Sequence, residues 1–215
     1  MVTSTKTETE RLIQNLAGQA GARQGVISFE WSSLAAAALS LAVAVTMVFI
    51  LVGLRPDLME AVQRSPFLFK VAATLSLACA GYFLIQRAAR PGVTALPLIA
   101  LAPSMLLLAL GGATDRPGLP LMGHSDIAVP HCVSSILVLS VPALCMSLAV
   151  LRTGAPTRLS FAGAAAGLLS GALGAAAYAL ACTNDGRPFV AIWYTVAILI
   201  MTGLGAIIGR RALSW

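Results

Sequence analysis

Six stretches of this chain, at residues 34–54, 71–86, 91–114, 132–151, 159–184 and 188–209, contain no Asp, Glu, Lys or Arg. Each comes near the roughly 20 apolar residues that a helix needs to cross the hydrocarbon of a bilayer. A chain that is 58% hydrophobic and only 10% charged is far from the roughly 25% charge of a soluble domain. Lipid offers no partner for a free N–H or C=O, so each such stretch must satisfy its backbone internally, as a helix. The sequence therefore predicts an all-α, polytopic membrane helix bundle with six spans, at about 33–54, 67–86, 93–112, 132–151, 160–182 and 189–209. The second uncharged run is the shortest and reaches span length only by adding "PFLFK" in front, with Lys70 expected to snorkel to the interface. The first apolar run follows about thirty polar residues, the wrong layout for a cleaved signal peptide, and is expected to be retained.

The net charge of +6 would suggest nucleic acid in a soluble protein, but in a membrane protein its distribution among the loops matters. With a cytoplasmic N-terminus, the inner segments hold Lys6, Arg11, Arg23, Arg87, Arg90, Arg152, Arg158, Arg210 and Arg211. The outer ones hold Arg55, Arg64, Lys70, Arg116 and Arg187, mixed with Asp57, Glu60, Asp115, Asp126 and Asp185. The bias places both termini in the cytoplasm, with the lipid bilayer as a partner and no direct contact with nucleic acid.

Residues 1–32 form the only sizeable soluble segment, followed by the bundle at 33–215. Thr5 stands three residues before Glu8, a capping-box spacing, and Leu12, Ile13 and Leu16 fall on one side of the predicted short helix beside Arg11. Trp31 is placed as an interfacial anchor. In the fifth run Gly163, Gly167 and Gly171 are four apart, and Gly205 and Gly209 repeat the spacing in the sixth. These are small-residue packing faces, read as contacts within the bundle rather than a dimer surface.

Proton-coupled transport needs titratable groups at membrane depth, and the six runs offer none. No Walker loop, dinucleotide turn, nucleophile elbow or metalloprotease His pair is present, so an enzyme is not expected and no resident cofactor is implied. The four cysteines divide by depth. Cys79 and Cys145 are mid-span and read as small, unreactive packing residues. Cys132 and Cys182 lie at span ends on the same side. The short "RTGAPTRL" loop makes spans 4 and 5 antiparallel neighbours, so the two thiols can approach disulfide distance if both face the shared seam. They are equally compatible with two unrelated interfacial residues. His131 beside Cys132, together with His124 and Asp185, are candidate helpers. A transient thiophilic metal ion held by Cys132, Cys182 and His131 is the corresponding metal reading.

The cytoplasmic "ERLIQNLAG", the "VPHCVSS" at span 4 and the "ACTND" after span 5 resemble the NrsF-like family, six-helix bacterial inner-membrane negative regulators of extracytoplasmic-function sigma factors. The resemblance covers nearly the whole chain. It implies an anti-sigma factor that holds an extracytoplasmic-function sigma factor at the inner membrane until an oxidative or thiophilic-metal signal acts from outside. On that resemblance Cys132 and Cys182 match the family's outer cysteine pair, and Arg11, Leu12, Ile13 and Leu16 fall in the sigma-contacting segment. A membrane thiol-disulfide oxidoreductase would be expected to carry a close Cys-x-x-Cys pair or two outer pairs. A permease would need a polar path through the bundle.

The charge bias is tested by reporters of periplasmic location. Fusions after residue 118 or 185 should be active and fusions after residue 91 or 155 silent; the opposite pattern would place both cysteines in a reducing compartment.

Overall fold

The computed structural model of the protein describes residues 8–15, 28–90, 98–113, 123 and 128–214. Among the described residues every regular element is helical. Five helices are long and apolar enough to cross a membrane: α1 (Phe29–Val52), α2 (Ser65–Ala88), α4 (Ala128–Leu151), α5 (Leu159–Tyr178) and α6 (Arg187–Ala212). The sixth, α3 (Leu98–Ala113), is shorter. It opens as a 3-10 turn over Leu98–Leu101 and becomes α-helical at Ala102, one residue before Pro103. A ring at Pro103 denies its N–H to the ladder, which suits the start of the α-helical part rather than its middle. The expected start of this span, at 93–97, lies outside the described residues. So does Thr5 of the capping-box spacing. Residues 8–15 are helical and exposed.

The bundle is organised around α5. Fifteen of its residues are buried, and it packs against α6, α2, α4 and α1. A helix can have four neighbours at close range only if its own side chains are small, and "AGAAAGLLSGALGAAA" supplies that slimness on every face. The glycines set the approach. A Cβ added at Gly163 would run into the backbone of Gly205 and Gly209, and one at Gly167 into the backbone of Met201 and Thr202. A Cβ at Gly205 would in turn strike Gly163 and Gly167. The four-residue glycine spacing of the two helices is thus an internal contact of one bundle. On the other sides, Gly81 of α2 faces the backbone of Leu169, and Gly174 faces Ser140 and Ile136 of α4.

Two helices contain a π-turn, Val48–Val52 at the end of α1 and Val190–Tyr194 near the start of α6. The first ends at Gly53, whose φ of +84° is a conformation open to glycine at little cost. Its N–H closes the turn on the Val48 carbonyl at 2.8 Å. The chain then turns inward, and the Arg55 N–H donates to the Leu180 carbonyl at 3.2 Å. This end of the bundle also carries Lys70, Cys132, Cys182 and Asp185. At the opposite end Arg90 pairs with Glu30 at 2.7 Å, and Arg152 donates to the Ala212 carbonyl at 2.7 Å.

Three sequence expectations are corrected here. Lys70 does not snorkel: it is 0% exposed, because a carboxylate from far along the chain meets it inside the bundle. Cys79 and Cys145 are exposed on the outer faces of their helices rather than packed within; on those apolar faces they are still small apolar side chains. Span 5 ends at Tyr178, not at 182. The N–H groups of Ala181 and Cys182 both close on the Tyr178 carbonyl at 3.0 Å, so Cys182 sits on a turn and not on a helix end.

The glycine contact makes a paired prediction. Gly163→Ala and Gly167→Ala should each lower stability in detergent by about 1–3 kcal/mol, the usual range for overpacking. Gly203→Ala, where an added Cβ meets nothing within 4 Å, should be neutral or stabilise by up to ~1 kcal/mol. Thermal melts of the three variants check this.

Candidate functional site

Cys132 lies in the second turn of α4 and Cys182 on the turn after α5. The antiparallel packing of these two helices brings their side chains together. Both are free thiols, 0% and 5% exposed, and their side chains meet, with the Cys182 S–H 3.8 Å from the Asn184 carbonyl. Around them stand Tyr178, the last residue of α5, and Tyr194, delivered by the π-turn of α6. The two tyrosine rings are 6.3 Å apart. The Tyr194 side chain is buried, and its hydroxyl has no hydrogen-bond partner among the described residues; the Cys182 thiol is a near neighbour.

Beneath the thiols is a cluster of four charges that sequence reasoning did not assemble. Lys70 Nζ donates to Asp185 Oδ1 at 2.7 Å and to the Cys182 carbonyl at 3.1 Å. Arg55 forks two ways: Nε and Nη2 donate to the Asp57 carboxylate at 2.8 and 2.9 Å. Its Nη1 and Nη2 donate to Asp185 at 3.0 and 2.9 Å, with a further contact from Nη1 to the Cys182 carbonyl at 3.3 Å. Two cations and two carboxylates balance, so the cluster can be buried without a net charge. The planar guanidinium suits a site where two carboxylates must be held at once. Phe67 and Tyr194 close the cluster, with ring centres 5.9 Å from Arg55 Cζ and 5.8 Å from Lys70 Nζ.

The electrostatics follow from these contacts. The hydrogen bonds from Arg55, to Asp57 above all, raise its own pKa against the opposing effect of burial. The Arg55 hydrogen bond likewise pulls the Asp57 carboxyl down to about 2. At Asp185 burial pushes the carboxyl up, but hydrogen bonds from Arg55 and Lys70 outweigh it, and the group stays below its ordinary value. The Cys182 thiol is held below the usual thiol range. The contact with Cys132 contributes most, burial opposes it, and the Lys70 charge and the Tyr194 hydroxyl add to it.

Of the sequence candidates, Cys132, Cys182 and Asp185 meet at this site. His131 does not turn toward the thiols. It is exposed and meets the edge of Tyr178 with centroids 6.5 Å apart, because adjacent helical residues point about 100° apart. His124 and Leu16 lie outside the described residues. Arg11, Leu12 and Ile13 are exposed on the helical stretch 8–15. Among the described residues no group of three His, Cys, Asp or Glu side chains is placed to hold a metal ion. Arg55, Lys70 and Tyr194 were missed. For Lys70 there was a signal, since a lysine in the second turn of an apolar helix is costly unless paired.

A cavity of about 320 Å³ opens beside the pair. Exposed His131 and Thr183 rim it, Tyr178 and Asn184 form its walls, and Cys182 lines it while Cys132 does not.

Comparison with known proteins bears on what the site belongs to. Residues 19–215 match the family model described as negative regulator of sigma F. The chain is 33% identical to a probable anti-sigma-F factor NrsF of Azospira oryzae over 97% of this chain and 100% of that protein. It is 35% identical to the anti-sigma-F factor NrsF of Caulobacter vibrioides over 75% of this chain and 78% of that one. No solved structure matches the chain.

The charge cluster is tested by removing its shared carboxylate. Asp185→Asn leaves two cations facing one carboxylate and should cost about 3 kcal/mol, the low end for a broken buried pair because Asp185 keeps some exposure. Both carboxylates titrate below their ordinary value of 3.8. Their contribution is therefore complete above about pH 4 and is lost as the pH falls through their depressed values, about 2 for Asp57. Melts of the parent at several pH values should show that loss, and Asp185→Asn should show less of it.

Proposed function

The chain belongs to the NrsF family of negative regulators of sigma F, and from that premise we propose that it is a membrane-embedded anti-sigma factor gated by the Cys132–Cys182 pair. It crosses the bacterial inner membrane six times with both termini in the cytoplasm and holds a sigma factor of the extracytoplasmic-function type. The N-terminal segment 1–32 supplies the contact: Leu12 and Ile13 are 59% and 60% exposed, a cost in water that a partner groove would recover. Arg11 and Leu16 belong to the same sequence segment.

The observation that carries the sensing half of the reading is the contact between two free thiols on separate elements. Joining them covalently ties the Cys182 turn to α4, and the same turn is held by Lys70 to α2 and by Arg55 to the end of α1. A bond made there therefore acts on four helices at once. Two sulfurs without a third donor make a poor metal cage, so support is stronger for oxidation to a disulfide than for capture of a thiophilic ion. Release follows because the bridged and unbridged bundles differ in their affinity for the partner, the condition any such switch must meet.

Two sets of variants test this. Leu12→Glu with Leu16→Glu should abolish co-purification of the sigma factor and raise target transcription without stress. Cys132→Ser or Cys182→Ser should leave capture intact and abolish release under oxidant, while Cys79→Ser and Cys145→Ser should behave as the parent. Normal release from both Cys132→Ser and Cys182→Ser membranes would return the pair to ordinary packing residues.

A further inference from the structure

The two thiols are chemically unequal, and the inequality is built into the fold. Cys182 lines the cavity that opens between His131 and Thr183, whereas Cys132 is 0% exposed and is not part of that wall. Cys132 is fixed on a helix, while Cys182 rides on a turn whose carbonyl is gripped by two cations, Lys70 at 3.1 Å and Arg55 at 3.3 Å. Lys70 is itself wholly buried, and its Nζ reaches Asp185 at 2.7 Å as well as the Cys182 carbonyl, so its charge stands beside the thiol. A fully buried lysine in an apolar helix costs several kcal/mol unless paired, and here Asp185 pairs it. A fold that needed only electrical neutrality there would be served as well by apolar side chains.

We propose that Cys182 is the attacking thiol and Cys132 the resolving thiol of the disulfide, and that Lys70 is the positioning residue that holds Cys182 toward the cavity and favours its anionic form. This rests on the thiol pair being the sensor. The reactant is hydrogen peroxide admitted through the cavity. The Cys182 sulfur bonds to one peroxide oxygen, the O–O bond breaks, and the other oxygen leaves as water with the former Cys182 proton. Cys182 is then a sulfenic acid. The Cys132 sulfur next attacks the Cys182 sulfur, the S–O bond breaks, and the hydroxyl leaves as a second water with the Cys132 proton. Two thiols lose two electrons, and one peroxide is reduced to two waters. Tyr194, with its buried and otherwise unpartnered hydroxyl, is placed to donate to the Cys182 sulfur while it is an anion.

The test uses the full chain in detergent micelles, with Cys79→Ser and Cys145→Ser as background so that only the pair can react. Hydrogen peroxide is the oxidant, and dimedone traps sulfenic acid for quantification by mass spectrometry. With Cys132→Ser added, Cys182 should form the adduct at least tenfold faster than Cys132 does with Cys182→Ser added. Lys70→Met should slow adduct formation at Cys182 about tenfold, and Lys70→Arg should restore most of the rate. Rescue by arginine separates a charge beside the sulfur from a space-filling role. Equal trapping at the two cysteines, or faster trapping at Cys132, overturns the order of attack whether or not Lys70→Met folds. An unchanged rate in folded Lys70→Met overturns the part given to Lys70. Sigma release is not read in this experiment. Symmetric trapping with release still dependent on Cys182 would leave the sensing reading in place, and asymmetric trapping with release independent of Cys182 would remove it.

Discussion

The backbone of α5 lies against the backbone of α6, and the rest of the bundle depends on that contact. Helices as apolar as these are held in a bilayer by close packing of surfaces that fit rather than by hydrophobic force, since acyl chains are as apolar as leucine. Gly163, Gly167, Gly205 and Gly209 remove the side chains that would hold the two helices apart. With α6 drawn in on one side, the alanine-rich remainder of α5 is free to receive α2 and α4 on the others. Had α5 carried leucines at those positions, the neighbours would be displaced by several ångströms, and Cys132 and Cys182 would not meet.

The charge cluster depends on the same arrangement. Asp185 follows α5, Lys70 is in the second turn of α2, and Arg55 follows α1, so their meeting point exists only where three separately packed elements converge. Each charge is satisfied by the others, which turns an expensive set of buried ions into a fixed network. Its principal structural effect is on a neutral group: the Cys182 carbonyl accepts from both cations. The turn that bears the thiol is thereby fastened to helices on the far side of the bundle. The π-turns serve the site from both flanks, one delivering the chain to Gly53 and Arg55, the other turning Tyr194 inward.

For a negative regulator of sigma F, this places a pair of buried free thiols at one end of the bundle and the Glu30–Arg90 ion pair at the other. The distance between them is bridged by helices roughly 30 Å long, packed too closely in their middle to bend independently. The change proposed at the thiol end would thus be carried by whole helices rather than by loops. Interfaces packed at this density tend to have two arrangements instead of a continuum, the property a release switch requires.

The six uncharged runs were enough to predict helices, and among the described residues every regular element is helical, with five long apolar helices where the runs lie, because backbone satisfaction in an apolar medium leaves no other regular choice. Glycine spacing identified the packing faces, and the pair "HC" and "CT" identified the thiols, because residue type and period are local properties. The sequence could not say that Lys70 is buried, that His131 turns away from Cys132, or that Asp185 binds two cations. Those outcomes depend on which elements meet, and Lys70 and Asp185 are separated by 115 residues. Whether a lysine near a helix end reaches back to water or stays inside is decided by the presence of a carboxylate within reach. Tertiary packing alone supplies that partner, just as it alone leaves one thiol open to a cavity and closes off the other.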